Sequence, residues 1–222
     1  MKVAVFHSFL DNIGGAEVVA LTLARDLKAD LYTTNVNKEM IEKMGFQDVP
    51  VYSIGRVPVN APFRQQATAA RFRMLNLGRK YDRYVIAGDW AYSAAVNHHP
   101  NLWYVHSPIR ELFDLRAKTR ERIVPRLARP VFDLWVSTNK RLLENALPHV
   151  DRMVCNSLNT QNRILNFLGK NANIIYPPVD TQYFENKAPK GYWLSVNRLI
   201  HHKQIDYQLE AFRNLQIGRA HV

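Results

Sequence analysis

The chain has 222 residues, of which 47% are hydrophobic and 22% are charged, a balance typical of a soluble globular protein and not of a disordered or fibrous one. Its formal net charge of +11 predicts attraction to an anion, such as nucleic acid, a phosphorylated small molecule or an acidic lipid surface. The single cysteine, Cys155, excludes an intrachain disulfide and favours a cytosolic location, and no apolar run reaches the roughly 18 residues that cross a bilayer.

Short apolar strands alternate with amphipathic helices along the chain. The first strand, Val3 to Phe6, is followed by Gly14 and Gly15 and then by a helix from Ala16 to Leu27. The later elements are strands at 31–33, 49–52, 83–87, 102–105, 152–155 and 173–176, with helices at 38–44, 62–77 and a long helical stretch at 109–147. Because parallel strands need crossover helices that pack on the sheet, this order predicts a doubly wound, Rossmann-like α/β fold.

A domain boundary is predicted just beyond Pro177 and Pro178, since neither proline can donate to a strand ladder. The predicted organisation is a first domain at 1–180, a linker at 181–191, and the first strand (192–196) and helix (203–215) of a second α/β domain at 192–215. One strand and one helix cannot bury a core, so the rest of that domain is expected to be missing. Residues 216–222 can be encoded by DNA that resembles a common sequencing-library adapter, and we expect them to be an artefact.

Gly14 and Gly15 place backbone N–H groups at the start of a helix, where an anion can bind, although a tight turn explains a glycine pair equally well. The dinucleotide fingerprint G-x-G-x-x-G is absent, and no acidic residue follows the second strand. Binding of NAD or FAD is therefore disfavoured.

Five motifs follow one another along nearly the whole chain: Asn12 to Glu17, Trp103 to Arg110, Asn156 and Ser157 with Arg163 and Ile164, Ile174 to Thr181 with Phe184, and Leu194 to Leu199 with Lys203. In type and order they resemble the motifs of family 4 glycosyltransferases, which have the GT-B fold. The resemblance implies transfer of a sugar from a nucleotide-diphosphate-sugar to an acceptor, with retention at the anomeric carbon, in a cleft between two Rossmann-like domains.

The same resemblance implies roles for individual residues. Arg198 and Lys203 match the basic pair that holds the donor diphosphate, whose negative charge grows as it leaves. His106, at the carboxyl end of a predicted strand, is the expected catalytic residue and faces the donor sugar. Gly14 and Gly15 bring backbone near the phosphate and the acceptor.

Asn12, Ser107 and Arg110 are further candidates for contact with the acceptor or a sugar. Glu17 matches the family motif, but we interpret it as a first-turn carboxylate that stabilises the helix N-terminus. No metal and no cofactor are expected, because adjacent histidine pairs such as His98 and His99 do not converge on one ion and the family is generally metal-independent.

Basic residues cluster at 64–83 and at 116–129, interleaved with apolar ones. Such faces suit an acceptor that carries a lipid phosphate, peripheral docking on an anionic membrane, or ordinary solvated helices. Nucleic acid is not an expected partner, because no recognised binding motif is present. The expected partners are the nucleotide-sugar donor and a glycan or lipid-linked acceptor.

Two alternatives stay open at this point: a sugar-nucleotide epimerase of the same GT-B architecture, and a non-catalytic domain that binds anionic lipid or sugar phosphate. The family's E-x₇-E element would lie beyond residue 222, so the chain alone is expected to be inactive. The identities of the sugar, the nucleotide and the acceptor are not predicted.

Overall fold

The structure is a computed structural model that describes residues 1–188, 190–197, 199 and 203–213. It divides into two compact units, 1–178 and 179–222. In the described residues the strands are β1 (Val3–Leu10), β2 (Asp30–Val36), β3 (Val51–Ser53), β4 (Arg83–Ile86), β5 (Asn101–Val105), β6 (Arg152–Cys155) and β7 (Asn173–Ile174). The α-helices there are α1 (Gly15–Asp26), α2 (Lys38–Lys43), α3 (Phe63–Met74), α4 (Arg116–Arg122), α5 (Arg129–Ala146), α6 (Leu158–Leu168) and α7 (Ile205–Arg213).

The strands of the first unit form one sheet in the order β3-β2-β1-β4-β5-β6-β7. Every neighbouring pair is parallel. The predicted doubly wound, Rossmann-like α/β fold is therefore confirmed. The strand order reverses between β1 and β4, and ligands of such sheets bind in the crevice at the carboxyl ends of the strands at this point.

Alternation along β1 divides the core into two layers. Ala4 and Phe6 pack on one face with residues of α3, α5 and α6. Val3 and Val5 pack on the other face with residues of α1 and α2. Because successive side chains of a strand point to opposite faces, one buried strand contributes to both layers.

The prediction of one long helical stretch at 109–147 is wrong. The structure ends α4 at Arg122, forms a short 3-10 turn at Arg126–Ala128, and then begins α5. Pro125 has no N–H to donate and its ring obstructs the preceding turn, so a helix cannot pass through it. Pro130 is tolerated, because in the first turn of α5 its missing N–H leaves no hydrogen bond unmade.

Helix α6 was not among the predicted elements, although its ends carry recognisable signals. Ser157 is the N-cap, and its side chain accepts a hydrogen bond from the backbone N of Thr160 at 3.2 Å. Gly169 ends the helix in the left-handed conformation, with φ of 62°.

The second unit contains α7 and a segment at 192–197 that is not a strand, contrary to the prediction. A strand needs a neighbour for its backbone hydrogen bonds, and the described part of this unit offers none. The Trp193 and Phe212 rings lie 5.6 Å apart, and the Ser195 hydroxyl donates to Gln208 at 2.7 Å. The predicted domain limits stay a prediction, and residues 216–222 lie outside the described residues.

Candidate active site

A cavity of about 890 Å³ opens in the first unit at the carboxyl ends of β1, β4 and β5. Six of its polar side chains come from these three strand ends and from two nearby elements: His7, Ser8, Glu17, Asp89, His106 and Glu111. Its opposite walls are largely apolar and belong to α3, α5 and the connection between α4 and α5: Pro62, Phe63, Ile123, Val124, Pro125, Val131, Phe132 and Trp135. The cavity thus joins a polar floor at the reversal of strand order to apolar walls.

Asp89 follows β4 and lines the floor of the cavity. Its Oδ1 atom is closed to solvent and has no hydrogen-bond partner among the described residues. Burial, together with the nearby carboxylates of Glu111 and Glu17, raises the pKa of Asp89 to about 7. A carboxyl group in this state can accept a hydrogen bond from a ligand hydroxyl, or hold a proton near neutral pH.

His106 follows β5, and its Nε2 atom is also buried with no partner among the described residues. Burial lowers the pKa of His106, so its imidazole is neutral at pH 7. The His106 carbonyl accepts hydrogen bonds from Asn156 at 3.0 Å and from Thr160 at 3.2 Å, so the start of α6 fixes its backbone.

His7 lies beside His106 and is almost completely buried, with 3% of its surface exposed. Burial and the neighbouring His106 lower the pKa of His7 to about 4. Its Nδ1 atom lies 3.3 Å from the carbonyl oxygen of Ala87. The floor therefore combines two neutral imidazoles with three carboxyl groups.

Gly88 explains how β1 and the loop after β4 come close enough to build this floor. A Cβ atom on Gly88 would collide with the backbone of Ser8. The Ser8 hydroxyl accepts a hydrogen bond from the backbone N of Trp90 at 3.0 Å, and the Ser8 carbonyl accepts one from Thr34 at 2.6 Å. Contact between Gly88 and Ser8 thus sets the position of Asp89.

The start of α1 lies beside the same floor. Glu17 folds its carboxylate against Gly14, at the place where a Cβ on that glycine would meet it. Negative charge at a helix N-terminus is favourable, which agrees with the interpretation of Glu17 as a first-turn carboxylate.

The family model for Glycosyltransferase Family 4 matches residues 13–183, which is most of the chain and includes every residue that lines the floor except His7 and Ser8. The chain belongs to glycosyltransferase family 4. A search of curated protein sequences found no match.

Solved structures of Anabaena Alr3699/HepE share the fold of this family 4 chain. The complex with UDP and glucose has a TM-score of 0.57 at 16% identity, over 84% of this chain and 47% of that one. The complex with UDP-glucose has a TM-score of 0.54 at 16% identity, over 84% of this chain and 46% of that one. The chain therefore spans about half the length of the structures that it matches.

Of the residues that the family resemblance singled out, His106 lines the cavity. Gly14, Gly15 and Asn12 lie at the start of α1 or just before it, and Gly15 and Asn12 are exposed. They border the floor next to Glu17 but do not line the cavity.

Ser107 and Arg110 also lie outside the cavity lining. The Ser107 hydroxyl donates to the carbonyl of Pro108 at 2.9 Å. Arg110 pairs with Asp114 at 2.9 Å, and Asp114 also binds Arg163 at 2.9 Å. These contacts tie Arg110 to its own loop and to α6.

Of the predicted donor-binding pair, Arg198 and Lys203, only Lys203 is among the described residues. Arg198 lies outside the described residues, and Lys203 is exposed in the second unit. Their roles stay predictions. In the described ranges, no helix is long and apolar enough to cross a membrane, and no three His, Cys, Asp or Glu side chains are grouped as ligands of a metal ion.

Sequence reasoning missed Asp89 and His7. The signal for Asp89 was its position two residues beyond the end of the strand predicted at 83–87, at the edge where ligands of parallel sheets bind. The strand predicted for β1 ended at Phe6, so His7 and Ser8 fell outside it, whereas β1 continues to Leu10.

Proposed function

We propose that this chain is the acceptor-side domain of a retaining glycosyltransferase that uses a nucleotide-diphosphate-sugar as donor. The observation that carries the proposal is the cavity at the reversal of strand order. Asp89 and His106 line it, and each has a buried polar atom that finds no hydrogen-bond partner among the described residues. Membership of family 4 supports sugar transfer. The solved relatives that contain UDP or UDP-glucose support a nucleotide-sugar donor.

In the proposed reaction, an oxygen of the acceptor hydroxyl bonds to the anomeric carbon on the face from which the diphosphate leaves. The bond from that carbon to the diphosphate oxygen breaks, and the proton of the hydroxyl passes to the departing diphosphate. Asp89 accepts the hydrogen bond of the acceptor hydroxyl and positions it, while neutral His106 orients the donor sugar. Arg198 and Lys203 neutralise the leaving diphosphate.

The walls of the cavity favour a lipid-linked acceptor over a free polysaccharide. Phe63, Ile123 and Val131 line the cavity and are each more than two-thirds exposed in the structure. Apolar side chains in such positions gain free energy when an apolar chain covers them.

The test uses the parent protein, whose donor domain we propose begins near Tyr192 and continues past Leu215. Sequencing the parent DNA through that codon, with a library that uses different adapters, establishes whether the frame continues. The protein is then assayed with nucleotide sugars and lipid-linked acceptors. Turnover that requires an acceptor separates a transferase from an epimerase.

Two substitutions test the site. We expect His106→Ala to lower kcat/KM by about 10² to 10³, the usual effect of losing one oriented polar group in an active site. We expect Asp89→Asn to lower it by at least tenfold. The matched control is His99→Ala, because His99 is an exposed histidine before β5, at the amino end of the sheet. Unchanged kcat/KM in both site variants would remove the assignment.

A further inference from the structure

The segment from α4 to the start of α5, residues 116–134, is unusual for the surface of a globular protein. Helix α4 has no buried residue. Four large apolar side chains of the segment are exposed: Ile123 (74%), Leu127 (97%), Val131 (68%) and Leu134 (67%). Single exposed apolar residues are common, but four within one short hairpin form a patch that indicates a binding surface. We call this segment the α4–α5 hairpin.

The hairpin is also strongly basic, with six Lys and Arg residues against Glu121 and Asp133. Lys118, Arg122 and Arg126 make no ion pair with the described residues. Lys118 and Arg122 lie one turn apart on the same side of α4. The free cations thus flank the exposed apolar residues.

Internal contacts hold the hairpin in shape without burying it. Asp133 of α5 pairs with Arg120 at 2.9 Å and with Arg116 at 3.2 Å, both from α4. Arg129 donates to the carbonyl oxygens of Arg120 and Glu121, each at 3.1 Å. The patch is therefore preformed, and binding does not have to order it first.

The exposed apolar residues and the free cations together indicate the kind of partner that the patch binds. We call the four exposed apolar residues the apolar tip of the hairpin. An apolar tip with free Lys and Arg side chains nearby matches an anionic bilayer, in which the tip enters the acyl boundary while the cations bind phosphate headgroups. A protein partner would have to pair the three free cations with carboxylates and cover the apolar tip in one interface. A bilayer satisfies both requirements without any specific geometry.

We propose that the α4–α5 hairpin docks on the surface of an anionic membrane. Ile123 and Val131 lie both in the exposed patch and in the lining of the cavity. Docking through the hairpin therefore turns the mouth of the cavity toward the bilayer. This surface does not depend on the proposed catalytic roles and is tested without a donor.

The test is sedimentation of the 222-residue chain with vesicles of phosphatidylcholine alone, or of phosphatidylcholine mixed with phosphatidylglycerol. We expect binding to the mixed vesicles at low ionic strength, weakening as salt screens the charges. Arg122→Ala with Arg126→Ala should weaken partitioning by about thirtyfold, at roughly 1 kcal/mol per cation. The matched control is Arg79→Ala with Arg152→Ala, since these exposed residues precede β4 and begin β6 at the opposite end of the sheet.

A second pair of variants tests insertion of the tip. Leu127→Ser with Leu134→Ser should weaken partitioning at least tenfold, and neither residue lines the cavity. The control changes Leu158 and Leu165 of α6 to Ser, because these residues are 58% and 52% exposed. All four positions are exposed, so we expect the changes to leave the fold intact.

A fluorescent label reports the depth of insertion directly. Cys155 is buried, so an environment-sensitive dye attaches selectively to Leu127→Cys and, as a control, to Leu158→Cys. We expect a blue shift on mixed vesicles only for the label at position 127. Absence of binding by the unaltered chain, equal losses in hairpin and control variants, or no shift at position 127 would each overturn the proposal.

Discussion

The imidazole of His7 lies against the backbone carbonyl of Ala87 and beside the imidazole of His106. The Nδ1 atom of His7 lies 3.3 Å from that oxygen, and the same carbonyl raises the pKa of His106 against the larger, lowering effect of burial. The carbonyl follows β4, while the two histidines come from β1 and β5. This backbone group thus lies among three strand ends on the floor of the cavity, where the neighbouring His106 opposes protonation of His7.

This arrangement predicts that His7 makes stability depend on pH. Its pKa is about 4 in the folded chain and about 6.5 when unfolded. Between these values the unfolded chain binds a proton that the folded chain does not, so stability falls as pH drops below about 6.5 and the loss is complete near pH 4. The full effect is at most about 3 kcal/mol.

The measurement compares urea unfolding of the unaltered chain and of His7→Asn from about pH 7 to about pH 4. Asn can still donate to the Ala87 carbonyl but does not titrate. We expect the advantage of the unaltered chain to shrink by up to about 3 kcal/mol toward low pH. A difference that stays constant across the range would contradict a buried, neutral His7.

Asp89 is expected to make stability depend on pH in the direction opposite to that of His7. Its pKa is about 7 in the folded chain and ordinarily 3.8, so the folded chain holds a proton that the unfolded chain loses between these values. The ionised Asp89 therefore costs stability, and the cost grows as pH rises from about 4 to above 7. Asp89→Asn should be more stable than the unaltered chain above pH 7, by at most about 4 kcal/mol, with no advantage near pH 4.

Thermal and urea unfolding at several pH values measure this difference, with Asp48→Asn as the control for an exposed aspartate. A variant that is more stable and yet less active is the signature of a polar group held in an active site at a cost to the fold. If Asp89→Asn is destabilised at every pH, the carboxylate has an internal partner and a structural role.

The fold follows from the sequence because its strongest signals are local. Short apolar runs such as Val3 to Phe6 separate helical segments, and this order allows few arrangements other than a parallel sheet with crossover helices. The break between α4 and α5 was predictable in principle, since Pro125 excludes a continuous helix. The segment at 192–197 was not, because strand formation depends on a neighbour that local sequence does not report.

The floor of the cavity was less accessible to sequence reasoning. His106 was selected through a family motif, but Asp89 and His7 have no motif of their own. Their properties arise from distance in space: Asp89 is affected by Glu17 and Glu111, which lie far from it along the chain. Burial and neighbouring charge shift a pKa, and both become known only after the strands are placed side by side.

Gly88 provides a test of the close approach on which the floor depends. Gly88→Ala would force its Cβ against the backbone of Ser8, which cannot move without disturbing β1. We expect destabilisation by about 1 to 3 kcal/mol, the usual cost of overpacking a tight site. Gly15→Ala is the control, because a Cβ there meets nothing within 4 Å and the residue begins α1. Urea unfolding of both variants decides the matter: equal stability would mean that the loop after β4 adapts freely.

Asp133 is the residue on which the shape of the α4–α5 hairpin depends most. It accepts hydrogen bonds from Arg120 and Arg116, and these contacts, the Arg120 contact first, hold its pKa below the ordinary value. Because α4 buries no residue, it has little else to hold it against α5. Asp133→Asn should therefore speed hydrogen exchange of the α4 amides several-fold while the sheet exchanges as before, since only local opening becomes easier.

Mass spectrometry of exchanged peptides from 116–122 measures this effect, with Glu39→Gln as the control. Glu39 forms an exposed ion pair with Lys43 on α2, so its loss tests what an ordinary surface pair contributes. If both variants leave exchange in α4 unchanged, the Arg129 contacts to the carbonyls of Arg120 and Glu121 suffice to hold the helix. If Asp133→Asn alone loosens α4 and also weakens vesicle binding, the preformed shape of the hairpin contributes to docking, because ordering a loosened helix on the membrane costs part of the binding free energy.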